Sequence, residues 1–92
     1  MTRPSADEIR DRLLAAFPDA VVVVQDDSHL HAGHAGARGG AGHYSVRMVS
    51  PAFAGQRTLA RHRLVYDPLR DWMPHRIHAL SIDARTPEEA AG

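Results

Sequence analysis

Residues 43–49 read HYSVRMV, and the alternation in that run narrows the fold more than any other stretch of the chain. Tyr44, Val46 and Met48 point one way and His43, Ser45 and Arg47 the other, because successive side chains of a strand leave opposite faces. A strand with one apolar and one polar face buries only one side, so a second layer must pack on that side. Val21 to Val24 is an unbroken β-branched run, too short for a helix and suited to a strand buried on both faces. It is expected to lie antiparallel to the 43–49 strand. Ile77 to Asp83 alternates again, with His78, Leu80 and Ile82 sharing a face, and reads as a third strand.

The second layer is helical. Ser5-Ala6-Asp7-Glu8 fits a capping box, in which the Ser5 hydroxyl accepts from the Glu8 amide and the Glu8 carboxylate reaches back. A helix from about Ala6 to Phe17 follows. Ile9, Leu13 and Phe17 form its apolar stripe, Arg10, Asp11 and Arg12 turn largely outward, and Pro18 ends it. Ser50 to Gly55 reads as one helical turn closed by glycine. Thr58 then caps a longer helix running to about Met73, with His62, Val65, Leu69 and Trp72 on its buried stripe. Pro68 falls inside that helix, so a kink or break is expected near Asp67. Thr86-Pro87-Glu88 supplies the N-cap, first-turn proline and acidic residue of a short final helix. The expected fold is α+β: a two-layer sandwich of a three-stranded sheet with helices on one face, in the order αββααβ.

At 92 residues and 43% apolar content the chain has material for one small domain, with a core over about residues 6–87 and a His/Gly-rich loop over 26–42. Eleven arginines balance eleven Asp plus Glu, so no net basic field favours nucleic acid. Cysteine is absent, which removes disulfides, thiolate ligands and thiolate catalysis from this chain. The N-terminal MTRPSADEIRDRL has neither a signal-peptide core nor a membrane-spanning run, and a soluble cytoplasmic protein is expected. No nucleophile–base arrangement or phosphate-cradling loop stands out, so an enzyme is not expected.

Histidine carries the remaining chemistry. Residues 28–43 read SHLHAGHAGARGGAGH, placing four of the seven histidines among five glycines. His31 and His34 have a spacing that suits zinc or nickel, but two imidazoles without a third fixed ligand make a weak site. Taken alone, His29, His31 and His34 read equally well as solvated loop residues, His78 as a rim residue at a strand start, and His62 as a packed histidine bonded to backbone. His43 and His75 read as surface residues.

Four strings give the chain a resemblance to the BolA family: DDS followed three positions later by His31, then GHYSVRMVSPAFAG, then RHRLVYDPL, and last IHALSIDARTP. The resemblance extends over roughly residues 9 to 87. Two positions depart from the family pattern: Gly42 stands where an acidic residue is usual, and Asp67-Pro68 interrupts a helix that is commonly smoother. The resemblance implies a fold similar to a type II KH domain and a partnership with monothiol glutaredoxins, the two proteins sharing a bridging 2Fe-2S cluster with glutathione. It implies cluster ligation by His78 at the start of the last strand and by a loop histidine, His31, with His34 as the nearest substitute; the isolated chain is then expected to be apo. It also places Arg61, His62 and Arg63 near the partner surface, where the arginines can fork onto a glutathione carboxylate or onto glutaredoxin. The bland alternative for Arg61 and Arg63 is a solvated helix face paired with Asp67 or Asp71. Some BolA-like proteins are described as transcriptional regulators, so the competing reading is DNA binding through Arg57, Arg61 and Arg63. Homodimerisation stays open.

Overall fold

In the computed structural model, residues 3–28 and 42–92 are described. The chain runs α1 (Ala6–Ala16), β1 (Val21–Asp26), β2 (Gly42–Val49), a 3-10 turn (Pro51–Phe53), α2 (Thr58–Tyr66), a second 3-10 segment (Asp67–Trp72), β3 (Ile77–Arg85) and α3 (Pro87–Ala91). The strands form one sheet in the order β1-β2-β3. β1 pairs antiparallel with β2, and β3 parallel with β2. The parallel pairing follows from α2, which carries the chain back to the end of the sheet where β2 began.

A single core joins the two layers. Ile9 and Leu13 of α1, Phe53, Val65 of α2, and Leu69 and Trp72 pack on Val22, Tyr44, Val46, Met48 and Ile77. The α+β sandwich with helices on one face is therefore the observed fold. β1 departs from the expected burial on both faces: Val22 is buried, but Val21 and Val23 are 64% and 57% exposed. The reason is its position. β1 is a sheet edge, and helices cover one face only, so alternate valines meet solvent.

The local signals act largely where they stand. Ser5 and Glu8 complete the capping box of α1, with the Glu8 amide donating to Ser5 Oγ at 3.0 Å and the Ser5 amide to Glu8 Oε1 at 2.9 Å. Gly55, at φ 74°, closes the turn after Phe53 in the left-handed region that favours glycine. The long helix breaks where expected: α2 stops at Tyr66 and the chain continues as 3-10 from Asp67, because the Pro68 ring cannot enter an α-helical interior. Thr58 is the first helical residue and not the cap; Arg57 occupies the N-cap without a side-chain bond. Arg12 is also less free than an outward helix residue. Its guanidinium carbon lies 3.5 Å over the Trp72 ring and its Nη1 is 2.6 Å from Asp71, which ties α1 to the second 3-10 segment.

α3 has no buried residue, so its anchorage is polar. Glu89 accepts from the Thr86 amide at 2.8 Å and pairs with Arg61 through a fork of 2.6 and 3.2 Å. The Arg61 fork first, and the Thr86 amide next, pull the Glu89 carboxyl from its ordinary 4.5 down to about 2. A carboxyl lowered in the folded state stabilises above its unfolded pKa, and that contribution is lost as pH falls through the folded value. α3 is therefore expected to fray as pH drops from 4.5 towards about 2 while the core persists. Amide exchange at Ala90 and Ala91 against that at Val46 reads this out. Equal protection loss in both would contradict it.

Candidate functional site

Two histidines meet at the start of β3. Gly42 pairs with Ile77 and His43 with Ala79, which leaves His78 as an extra residue on β3, a β-bulge that re-aims its side chain. Ile77 is fully buried on the core face and Leu80 and Ile82 pack against that core, whereas His78 is exposed. The expected common face of His78, Leu80 and Ile82 is thus corrected, because the bulge breaks the two-residue period between Ile77 and Ala79. The His78 ring lies 5.2 Å from that of His43, with the planes tilted by 54°. His43 is only 8% exposed, against the expectation of a surface residue. It sits on the central strand, flanked on both sides, with the bulged histidine beside its ring. His75 is exposed, as expected.

His43 is also where the ends of the histidine-bearing segment are fastened. Its amide donates to Ser28 Oγ at 3.1 Å, and its carbonyl accepts from the Asp27 amide at 2.7 Å. The next residue back, Gly42, donates its amide to the Arg76 carbonyl at 3.0 Å. Asp26 accepts from the Ser28 amide at 2.9 Å and lies 3.5 Å from Arg3. Burial pushes the Asp26 carboxyl up, but the Ser28 hydrogen bonds and Arg3 outweigh it and hold the group below the ordinary value. The Ser45 hydroxyl donates to the Asp27 carboxylate from the other side of the same junction. His31 and His34, with His29, lie outside the described residues. Among the described residues no three His, Cys, Asp or Glu side chains gather in a group able to hold a metal ion.

The basic residues separate into two kinds. Arg61 is 16% exposed at its side chain and is held by Glu89, by the Gln56 carbonyl at 2.8 Å and by the Ala84 carbonyl at 3.0 Å. The expected pairing of this arginine with Asp67 or Asp71 does not form, since Asp71 is taken by Arg12. Arg57 and Arg63 are exposed. His62 is half-buried at the margin of the Val65–Leu69–Trp72 stripe and lines a depression against β3. The Arg61–Glu89 fork and the buried His43 are the features that sequence reading missed. The first joins residues 28 apart, and the second depends on a bulge that no local pattern encodes.

The family model described as BolA-like protein matches residues 13–89. The chain belongs to the BolA family. SufE-like protein 1 of Arabidopsis thaliana, described as chloroplastic/mitochondrial, is 45% identical over 86 residues, which cover 88% of this chain and 23% of that protein. The solved BolA domain of SufE1 from the same plant superposes with a TM-score of 0.78 at 41% identity, covering 91% of this chain and 93% of that domain. The Escherichia coli protein named DNA-binding transcriptional regulator BolA is 35% identical over 86 residues, covering 94% of this chain and 79% of that one. Among the described residues of this BolA chain, no helix is long and apolar enough to cross a membrane. A β-carbon at Gly42 would overlap the Tyr44 ring and hydroxyl.

Proposed function

We propose that this BolA chain is a cytoplasmic, non-enzymatic adaptor that binds a monothiol glutaredoxin and shares a bridging 2Fe-2S cluster with it and its glutathione, acting in iron-sulfur cluster trafficking or iron sensing. The observation that carries the reading is the exposed His78, set on a bulge beside His43, where both ends of the segment bearing His31 and His34 are fastened. The donor set fits the group. Imidazole replaces thiolate on cluster iron in known mixed-ligand centres, this chain offers imidazoles and no thiolate, and a site short of ligands on one protein is one that a second protein completes. Arg63, exposed on α2, is the better placed of the two flanking arginines to meet glutathione or the partner, since Arg61 is engaged within the chain.

Co-expression with a monothiol glutaredoxin tests the proposal. The expected product is a heterodimer by size with visible cluster absorbance. Two separate colourless proteins would refute it. Imidazole must be neutral to ligate, so cluster retention is also expected to fall in mild acid.

The second reading, a DNA-binding regulator, draws on the name of the Escherichia coli relative and on the exposed Arg57 and Arg63. Arg61, committed to Glu89, weakens it. Phosphate contacts would make binding fall steeply with salt. A titration of duplex and single-stranded DNA at two salt concentrations is expected to show no salt-sensitive binding at micromolar protein.

A further inference from the structure

β3 is the second edge of the sheet, and its outward backbone groups can be followed one by one. Arg85 turns its carbonyl towards β2, accepting from the Ser50 amide at 2.9 Å. Strand alternation then turns the N–H and C=O of Leu80, Ile82 and Ala84 away from β2. α2 closes this edge at two points: the Tyr66 hydroxyl donates to the Leu80 carbonyl at 3.4 Å, and Arg61 Nη1 to the Ala84 carbonyl at 3.0 Å. Between them Ile82 presents its backbone donor and acceptor beside a depression of 250 Å³ lined by Thr58, Arg61, His62, Ile82, Asp83 and Ala84. Asp83 does not bar the way, because its carboxylate is held by Arg85 at 2.8 Å and Arg47 at 3.8 Å.

An open strand edge takes up another extended chain. Here the two caps leave room for one residue. His78 lies four residues back along the same strand, roughly 13 Å at strand rise, so a protein engaging His78 has Ile82 within its footprint. We propose that the partner engaging His78 continues along β3 and sets one extended residue against Ile82, exchanging both backbone hydrogen bonds in a single β-bridge while its side chain fills the depression beside Thr58 and His62. Tyr66 and Arg61 act as fences that refuse a longer strand. The inference rests on the glutaredoxin reading and adds to it a contact independent of the cluster.

Amide exchange of the labelled full chain, alone and with cluster-free monothiol glutaredoxin, tests it. In the complex the Ile82 amide is expected to gain at least tenfold protection. Ile82→Pro removes the donor at an edge position where proline is tolerated, whereas Ile82→Ala keeps the donor and loses only packing. Affinity is expected to fall about tenfold for Ile82→Pro, in line with a lost hydrogen bond and a blocked edge, and to stay within about threefold for Ile82→Ala, which keeps that bond. A complex in which the Ile82 amide is unchanged overturns the bridge and leaves the glutaredoxin reading standing. Absence of any complex overturns both. The exchange measurement on the unmutated chain decides the matter even where a variant folds poorly.

Discussion

A Gly42→Ala variant is expected to unfold on the order of 15 °C below the parent chain, a loss of about 3 kcal/mol. The added methyl would overlap the Tyr44 hydroxyl and ring. That ring cannot readily yield, because Tyr44 is fully buried and its hydroxyl donates to the Pro4 carbonyl at 2.5 Å. Burial first, and the Asp26 charge next, push the Tyr44 phenol up to about 12, so the donor is present at every ordinary pH. Moving the ring breaks that bond and leaves buried polar atoms without each other, which together with overpacking accounts for the size of the effect. Thermal unfolding of Gly42→Ala, Tyr44→Phe and the double variant checks the mechanism. The double variant is expected to lose less than the sum of the singles, since both disturb one contact. A Gly42→Ala loss under about 0.5 kcal/mol, the range of ordinary surface changes, would show that the Tyr44 ring does not need the glycine.

His78→Ala is expected to have the opposite profile: little change in stability and a near-complete loss of cluster. The side chain is exposed on a bulge, so its removal opens no cavity and is expected to cost within about 0.5 kcal/mol. On the proposed function, the cluster shared with glutaredoxin would in contrast lose the ligand that β3 supplies. Loss of even an outer-shell partner costs ten- to a hundredfold in metal affinity, and loss of the ligand is expected to reduce cluster absorbance per complex at least as far. His75→Ala, exposed three residues away, serves as the control and is expected to behave as the parent. If His78→Ala unfolds with the parent yet keeps its spectrum and cluster lifetime, His78 is not a ligand.

Much of this architecture is legible because its determinants are local. A capping box lies within four residues, proline breaks a helix from inside it, and the Tyr44-Val46-Met48 alternation survives into the core intact. What was not legible depends on neighbours distant in sequence. The valine run reads as a buried strand until its place at a sheet edge is known. His78 reads in phase with Leu80 and Ile82 until pairing with β2 inserts a bulge, and only that bulge brings it to His43. Arg61 and Arg63 look alike on α2, and only the partners of Arg61, Glu89 of α3 with the Gln56 and Ala84 carbonyls, separate them. The cluster proposal accordingly draws its residues from family resemblance, and the geometry adds His43, beside His78 and bonded to Ser28 and Asp27.

The central claim is that an imidazole of this chain binds the iron of a cluster held with a second protein. Pulsed electron paramagnetic resonance of the reduced heterodimer tests it most directly, with nitrogen-15 histidine introduced into this chain and nitrogen-14 into glutaredoxin. The account predicts strong nitrogen couplings of nitrogen-15 character in the complex, absent from His78→Ala. Couplings that stay nitrogen-14 in character, or a cluster spectrum without directly bound nitrogen, would contradict it.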